Sequence, residues 1–406
     1  MKDELKGQYL RIGTTYYKKS LYPNNLGEGI EILIPWSPEL IRQDYGKNVL
    51  SQVEIYDGFV CLPENRREFY KKRILDYYNT YHILSKIPKE GDITNSMIMM
   101  KHLFREQLEI GIDYVQLLYT KPSQILPILC LVSNFRNTGK SSFLKWLKEI
   151  FEFNLTYITN DSFASNFNAD WSSKLLICID EVLFKTDELT ERIKYLSTTN
   201  VSKMESKGKD RKEVYFFGKF IMCSNNEHNF IKIDAEETRF WVRKIEVLEY
   251  DDVNFLDKLI SEIPAFLYFL STRKLSTENK SRMWFTPQQI KTNALEKLVK
   301  FNSSKIEVEL ASVLVNTMDS LDIEIIQFCF SDLLNFLNKF KIKHDANEIK
   351  KIIRNDWKLQ QQSNSNQYQK ITVTNDLDFY QNLSKGRYYT VSREFLSSNY
   401  DELMTK

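Results

Sequence analysis

The sequence predicts an α/β core built on a parallel sheet, with a mostly helical segment before it and a small separate region after it. Two observations carry that expectation. Apolar runs without polar breaks, "ILPILCLVS", "KLLICID" and "YFFGKFIMCSN", alternate with helical runs such as "KSSFLKWLKEIF". Strands buried on both faces and separated by helices belong to parallel sheets. The first of these strands also meets the first helix through "SNFRNTGKSS", a loop with glycine, lysine and hydroxyl side chains at the helix start.

In chain order, residues 1–123 are expected as an N-terminal α+β, mostly helical domain. "GEGIEILIPW" ends a strand at Pro35-Trp36. "ENRREFYKKRILDYYNTYHIL" and "NSMIMMKHLFREQLEIGIDYVQLLYTKP" have the spacing of amphipathic helices, the second closed by Pro122. Residues 124–300 hold the sheet and the helices after it, including "NFLDKLISEIPAFLYFLSTRKL". Residues 301–406 form a smaller domain. Its helices are "DIEIIQFCFSDLLNFLNKF" and "DANEIKKIIRNDWKL", followed by a polar turn and the strands "YQKITV" and "GRYYTV".

The chain has 406 residues, 42% hydrophobic and 27% charged, enough for two or three ordered domains. A net charge of +2 places any nucleic-acid contact on a local patch and excludes a globally basic field. The five cysteines form no C-x-x-C pair, and with four histidines a structural zinc is not expected. No signal peptide and no apolar run of membrane length is evident, so the expectation is a cytoplasmic protein with no membrane partner.

Phosphates need backbone N–H donors, a cation and a helix N-terminus. After the strand Ile128–Val132, Gly139-Lys140-Ser141 supplies all three. Lys140 would reach the β- and γ-phosphates of ATP, Ser141 would ligate Mg²⁺, and Thr138 and Gly139 would offer amides. The usual first glycine of such a loop is replaced by Asn134, which the left-handed region tolerates best among non-glycine residues. A chance G-K-S in a lysine-rich chain is the bland alternative. "KLLICIDEV" then ends a strand in Asp180-Glu181, 40 residues after Lys140. Asp180 would hold Mg²⁺, and Glu181 would polarise the attacking water; the alternative is a strand-end acid capping the next helix. Asn225, ending a third strand, would hydrogen-bond the γ-phosphate as a sensor. Arg239 in "EETRFWVRKI" suits a finger donated to a neighbouring subunit, or a surface pair with Glu236 or Glu237.

Together "NTGKSSF", "LLICIDEV", "FIMCSN" and "TRFW" resemble the superfamily 3 DNA helicases, most nearly the helicase part of phage, plasmid and other mobile-element primase-helicases. Asn137–Ser141 repeats the N-T-G-K-S form of their phosphate loop. "YNTYHIL", "GIDYVQLLYTKP", "EIPAFLYFL" and "RMWF" extend the likeness over roughly residues 50–300. The resemblance implies a P-loop, AAA+-like ATPase fold. It adds Asn137 and Ser142 to the nucleotide contacts and implies a homo-oligomeric, hexameric ring that moves 3′ to 5′ along DNA in a bacterial host. It also places a DNA-gripping hairpin between the second and third core strands. Here that segment carries Lys203, Lys207, Lys209, Arg211, Lys212 and Lys219 against three acids, with Gly208 at the tip. Most charge runs are simply solvated loops, which is the alternative.

The resemblance has limits. No D-x-D carboxylate set precedes the core, and none of His82, His102, His228 and His344 makes a His-x-His nicking site. Priming would therefore fall to a separate primase or polymerase. The C-terminal pattern resembles a winged helix, with Lys350, Lys351, Arg354 and Lys358 on its third helix and Lys370, Lys385 and Arg387 on its wing. It would contact DNA or another protein. Three functions stay open: a helicase on single-stranded and forked DNA, an ATP-dependent origin-binding initiator or loader without processive unwinding, and a P-loop small-molecule kinase.

Overall fold

The computed structural model describes residues 7–23, 29–184, 186–208, 210–227, 229–233, 237–248, 252–340, 342, 345–374 and 379–404. They divide into two compact units, one drawn from 1–232 and 237–295, the other from 296–406 together with Ile233.

The first unit opens with strands rather than helices. β1 (Tyr9–Ile12), β2 (Thr15–Pro23), β3 (Gly29–Pro35), α1 (Pro38–Tyr45) and β4 (Glu54–Tyr56) give a sheet in the order β3-β2-β1-β4. β5 (Gly58–Val60), β6 (Arg73–Ile74) and β7 (Tyr77–Asn79) form a second small sheet. The helix expected from "ENRREFYKKRILDYYNTYHIL" is thus corrected to a hairpin. Ile74 pairs with Tyr77, leaving Leu75-Asp76 as the turn, with Leu75 at φ 52°. Aromatic residues favour the pleated surface, and Tyr78 is buried edge-on to Tyr56 at 5.2 Å. The Asn79 side chain accepts from the Leu62 and Tyr81 amides and donates to the Leu62 and Lys71 carbonyls, so these groups have no need of a helical ladder. The expected mostly helical character of this region is corrected with it.

The single helix expected over 95–122 is two, α2 (Thr94–Phe104) and α3 (Leu108–Thr120). Arg105 at φ 41° breaks them, and the turn lays the Phe104 ring on Gly111, where a Cβ would come within 2.3 Å of it. Phe104 also stacks on Trp241 at 5.1 Å, whose indole N–H donates to Gln107. These helices therefore share one hydrophobic core with the sheet described next.

That sheet consists of β8 (Ile128–Val132), β9 (Leu155–Ile158), β10 (Leu176–Ile179), β13 (Lys219–Ser224) and β14 (Phe240–Lys244). The order is β14-β8-β13-β10-β9 and every pair is parallel. α4 (Lys140–Phe151) buries Phe143, Leu144, Leu147, Ile150 and Phe151, the stripe of a 3.6-residue period. α5 (Asn160–Ala164) and α6 (Asp187–Leu196) follow β9 and β10. β11 (Val201–Met204) and β12 (Lys212–Tyr215) form an antiparallel hairpin between α6 and β13. α7 (Phe255–Ser261), α8 (Ile263–Thr272) and α9 (Pro287–Ile290) complete the unit, with Pro264 in the first turn of α8.

The second unit contains α10 (Asn293–Leu321) from Glu296 onward, β15 (Ile325–Phe328), α11 (Phe330–Lys339), α12 (Ala346–Lys351), β16 (Asn366–Val373), β17 (Phe379–Gly386), β18 (Tyr389–Ser392) and α13 (Arg393–Met404). Its sheet runs β17-β16-β15-β18. The expected helix over 322–340 begins as a strand: Ile326 and Phe328 are buried in alternation, and the backbone N–H of Cys329 donates to Asp332, which sets the start of α11. "YQKITV" pairs with β17, a strand not foreseen, while "GRYYTV" contributes β18 beside β15 instead of closing a wing with β16. Lys350, Lys351, Arg354 and Lys358 are exposed, as are Lys385 and Arg387, whereas Lys370 is tied to Asp332 at 2.6 Å.

Among the described residues no helix is long and apolar enough to cross a membrane, and no group of three His, Cys, Asp or Glu side chains is placed to hold a metal.

Candidate nucleotide site and basic hairpin

Three loops leave the sheet from the C-terminal ends of β8, β13 and β10, the edge where parallel α/β sheets place ligands. β13 lies between the other two, so the ends of β8 and β10 are about 10 Å apart.

The loop after β8 turns through left-handed backbone at Asn137 (φ 55°) and Gly139 (φ 81°). Gly139 caps α4 without a side chain, and among the described residues no side-chain hydrogen bond caps the first-turn amides, including those of Lys140, Ser141 and Ser142. Lys140 is 6% exposed, and its ammonium donates to Thr138 Oγ1 at 3.1 Å. Burial lowers its pKa, while the negative charges of Asp180 and Glu227 pull the other way. A buried cation beside an uncapped helix N-terminus is a site for a polyanion. Ser141 and Asp180 are both exposed and supply the hard oxygen donors that Mg²⁺ prefers. The residues present therefore fit a magnesium nucleotide.

Two contacts brace this loop from outside it. His102 on α2 meets the Thr138 carbonyl at 3.0 Å, and the Leu248 amide donates to the Asn137 carbonyl at 3.1 Å. No pattern in the sequence marks His102, because its partner is a backbone oxygen.

At the end of β10, Asp180 Oδ1 accepts from the Glu181 amide at 3.1 Å, and Glu181 sits at φ 55°. Asn160 holds this turn by donating to the Glu181 carbonyl and accepting from the Leu183 amide, each at 3.2 Å. Ser224, closing β13, donates to the Val182 carbonyl at 3.2 Å, and Asn225 follows it exposed. The structure thus brings Lys140, Ser141, Asp180, Glu181 and Asn225 to one sheet edge.

Asn134 does not take the left-handed turn expected of it; Asn137 does. Asn134 instead pairs with Glu227, its amide donating to Glu227 Oε1 at 3.0 Å and its side chain accepting from the Glu227 amide at 3.2 Å. No pattern in the sequence marks Glu227, which stands in a polar run like many others.

Arg239 precedes β14, and because β14 runs parallel to β8 it lies at the edge opposite the loop after β8. Its guanidinium is one-third exposed and bonds both oxygens of buried Glu237, at 2.9 and 2.7 Å. Glu237 also meets Lys194 at 3.5 Å. Glu236, the other expected partner, lies outside the described residues.

On the hairpin, Lys203, Lys207, Arg211 and Lys212 are exposed and Gly208 turns at φ 74°. Arg211 is paired with Glu205 at 2.6 Å. Lys209 lies outside the described residues. Lys219 does not belong to this set: it is 3% exposed, and its ammonium donates to the Phe217 carbonyl at 2.7 Å and to the Pro122 carbonyl.

Residues 131–243 match the family of unknown function DUF5906. No curated protein matches the sequence of the chain. Among solved structures, an apo structure of the NrS-1 C-terminal region (305–718) aligns with a TM-score of 0.57 at 16% identity, covering 87% of this chain and 84% of that one. Its A form aligns at 0.56 and 17% identity, covering 87% and 85%. Both are likenesses of fold. The JCV helicase aligns at a TM-score of 0.30 and 13% identity over 54% of this chain and 62% of that one, too distant to carry an argument.

Proposed function

We propose that the chain is an ATP-dependent DNA helicase of the superfamily 3 type, acting in replication of a phage, plasmid or other mobile element. The observation that carries this reading is one sheet edge with two opposed kinds of group. Buried Lys140 and the uncapped α4 N-terminus stand on one side of β13, and the Asp180-Glu181 pair stands on the other.

In this reading the α4 amides and Lys140 bind the β- and γ-phosphates of ATP. Ser141 and Asp180 hold Mg²⁺, which neutralises phosphate charge when bound. Glu181 orients and polarises the attacking water, and Asn225 donates an amide hydrogen bond to the γ-phosphate. Arg239 cannot serve the site of its own chain, since it sits on the opposite sheet edge. It completes a neighbour's site instead, which calls for a ring of copies. Release from Glu237 leaves no stranded buried carboxylate, because Lys194 stays beside Glu237. The exposed hairpin lysines then make phosphate contacts that are independent of sequence and easily exchanged.

The exposed cations of the second unit, Lys350, Lys351, Arg354 and Lys358, favour a second reading as an origin-binding loader using the same ATPase. Steady-state ATP hydrolysis with and without single-stranded DNA tests the shared part. The parent is expected to hydrolyse ATP faster with DNA, and Lys140→Ala is expected to abolish turnover. Full activity in that variant would refute the site.

A further inference from the structure

We propose that Asn134 and Glu227 form a positioning pair that makes the phosphate loop and the sensor loop respond together to a nucleoside triphosphate rather than a diphosphate. The inference rests on the nucleotide site proposed above.

The loop after β8 and the end of β14 both meet Glu227, at the C-terminal edge of the sheet. Its carboxylate accepts from the Asn134 amide at 3.0 Å and pairs with Lys244 at the end of β14 at 3.1 Å. Its own amide donates to the Asn134 side chain at 3.2 Å, closing a reciprocal ring between the two residues. Just after β8, the Ser133 amide donates to the Ser224 carbonyl at 3.1 Å. Glu227 is only 7% exposed, and a buried carboxylate is tolerated only while its partners stay in place. A displacement of either loop therefore costs the bonds of both.

The sensor amide hangs inside this frame. Asn225 lies between Ser224, whose hydroxyl holds the Asn226 amide at 3.1 Å, and Glu227, which is held by Asn134. A short span pinned at both ends presents Asn225 at a fixed place relative to the phosphate loop. This accounts for asparagine where such loops usually carry glycine: glycine has no side-chain acceptor to close the ring.

Binding of ADP and of a non-hydrolysable ATP analogue, measured by calorimetry on the full chain, tests the pair. Asn134→Asp places a second carboxylate against Glu227, and like charges in contact are costly. The ATP analogue is expected to weaken about tenfold, with ADP changing less than about twofold. Glu227→Gln combined with Asn134→Asp returns the pair to one carboxylate and is expected to recover the preference for the triphosphate. Asn134→Ser, which removes the amide without adding charge, gives the same comparison should Asn134→Asp fail to fold. Equal loss of both nucleotides, or no recovery in the double variant, would show a merely structural contact and overturn the proposal. Lys140→Ala separates the two levels of inference. If the parent binds neither nucleotide, the site fails and the pair with it. If the parent binds both, Lys140→Ala binds neither and the pair variants match the parent, the pair alone fails.

Discussion

Lys219→Met asks whether a cation that the sequence places in a DNA-gripping segment is a structural lysine of the core. Lys219 opens β13 at 3% exposure, with the Phe217 and Pro122 carbonyls as its acceptors. Burial brings its pKa from the ordinary 10.5 to about 7. Between those two values the unfolded chain holds the proton that the native chain has lost. Stability therefore rises with pH across that window and is lowest below about pH 7. Each unit of separation corresponds to about 1.4 kcal/mol, so the whole window spans at most about 4–5 kcal/mol. The two carbonyls favour the ammonium and oppose burial, which brings the expected gain between about pH 7.5 and 9.5 to about 1–2 kcal/mol. Methionine strands those carbonyls, so a comparison at one pH mixes two effects, whereas the slope with pH does not. Urea unfolding of the parent and Lys219→Met at several pH values, followed by the fluorescence of buried Trp146, Trp171 and Trp241, gives that slope. The parent is expected to gain on the variant as pH rises. Parallel curves would refute a buried, desolvated Lys219. Affinity for single-stranded DNA should be the same in both proteins, and a loss in the variant would return Lys219 to the hairpin surface.

Arg239→Ala is expected to bind ATP but not turn it over, and mixing it with Lys140→Ala should restore part of the activity in a steady-state assay if sites are shared between copies. Lys207→Ala should lower DNA affinity and reduce the slope of log affinity against log salt by about one, read by fluorescence anisotropy. Arg211→Ala should have a smaller effect on that slope, because Arg211 is already paired with Glu205. His102→Ala removes the brace on the Thr138 carbonyl, and a rise in KM for ATP with little change in thermal midpoint is the expected outcome. Gly111→Ala drives a methyl group into the Phe104 ring and should destabilise the first unit by about 1–3 kcal/mol, visible as a lowered denaturant midpoint.

What was legible in the sequence was local and periodic. The strands at Ile128–Val132 and Leu176–Ile179 are uninterrupted apolar runs, as is Phe220–Cys223 within β13, and the α4 stripe follows the helical period. β9 is not legible in the sequence, because an edge strand of four residues with two polar or half-exposed positions has little pattern to show. The aromatics of the hairpin at residues 73–79 also fit a 3.6-residue spacing, so the local pattern there reads as a helix. Only the distant Tyr56 and the Asn79 network decide between the two. At the candidate site, Gly139-Lys140-Ser141 and the acid pair Asp180-Glu181 announce themselves by spacing. Glu227 and His102 do not, since each acts on the loop's backbone across a tertiary contact. The same limit applies to Lys219: its charge is visible in the sequence, and its burial is not.

Strand displacement from a forked duplex with a 3′ tail tests the central claim most directly. The account predicts that the parent, with ATP and Mg²⁺, releases the labelled strand, that Lys140→Ala releases none, and that a non-hydrolysable ATP analogue supports none. ATP hydrolysis by the parent without any strand release, at protein concentrations that saturate the fork, would contradict it and leave the loader reading in its place.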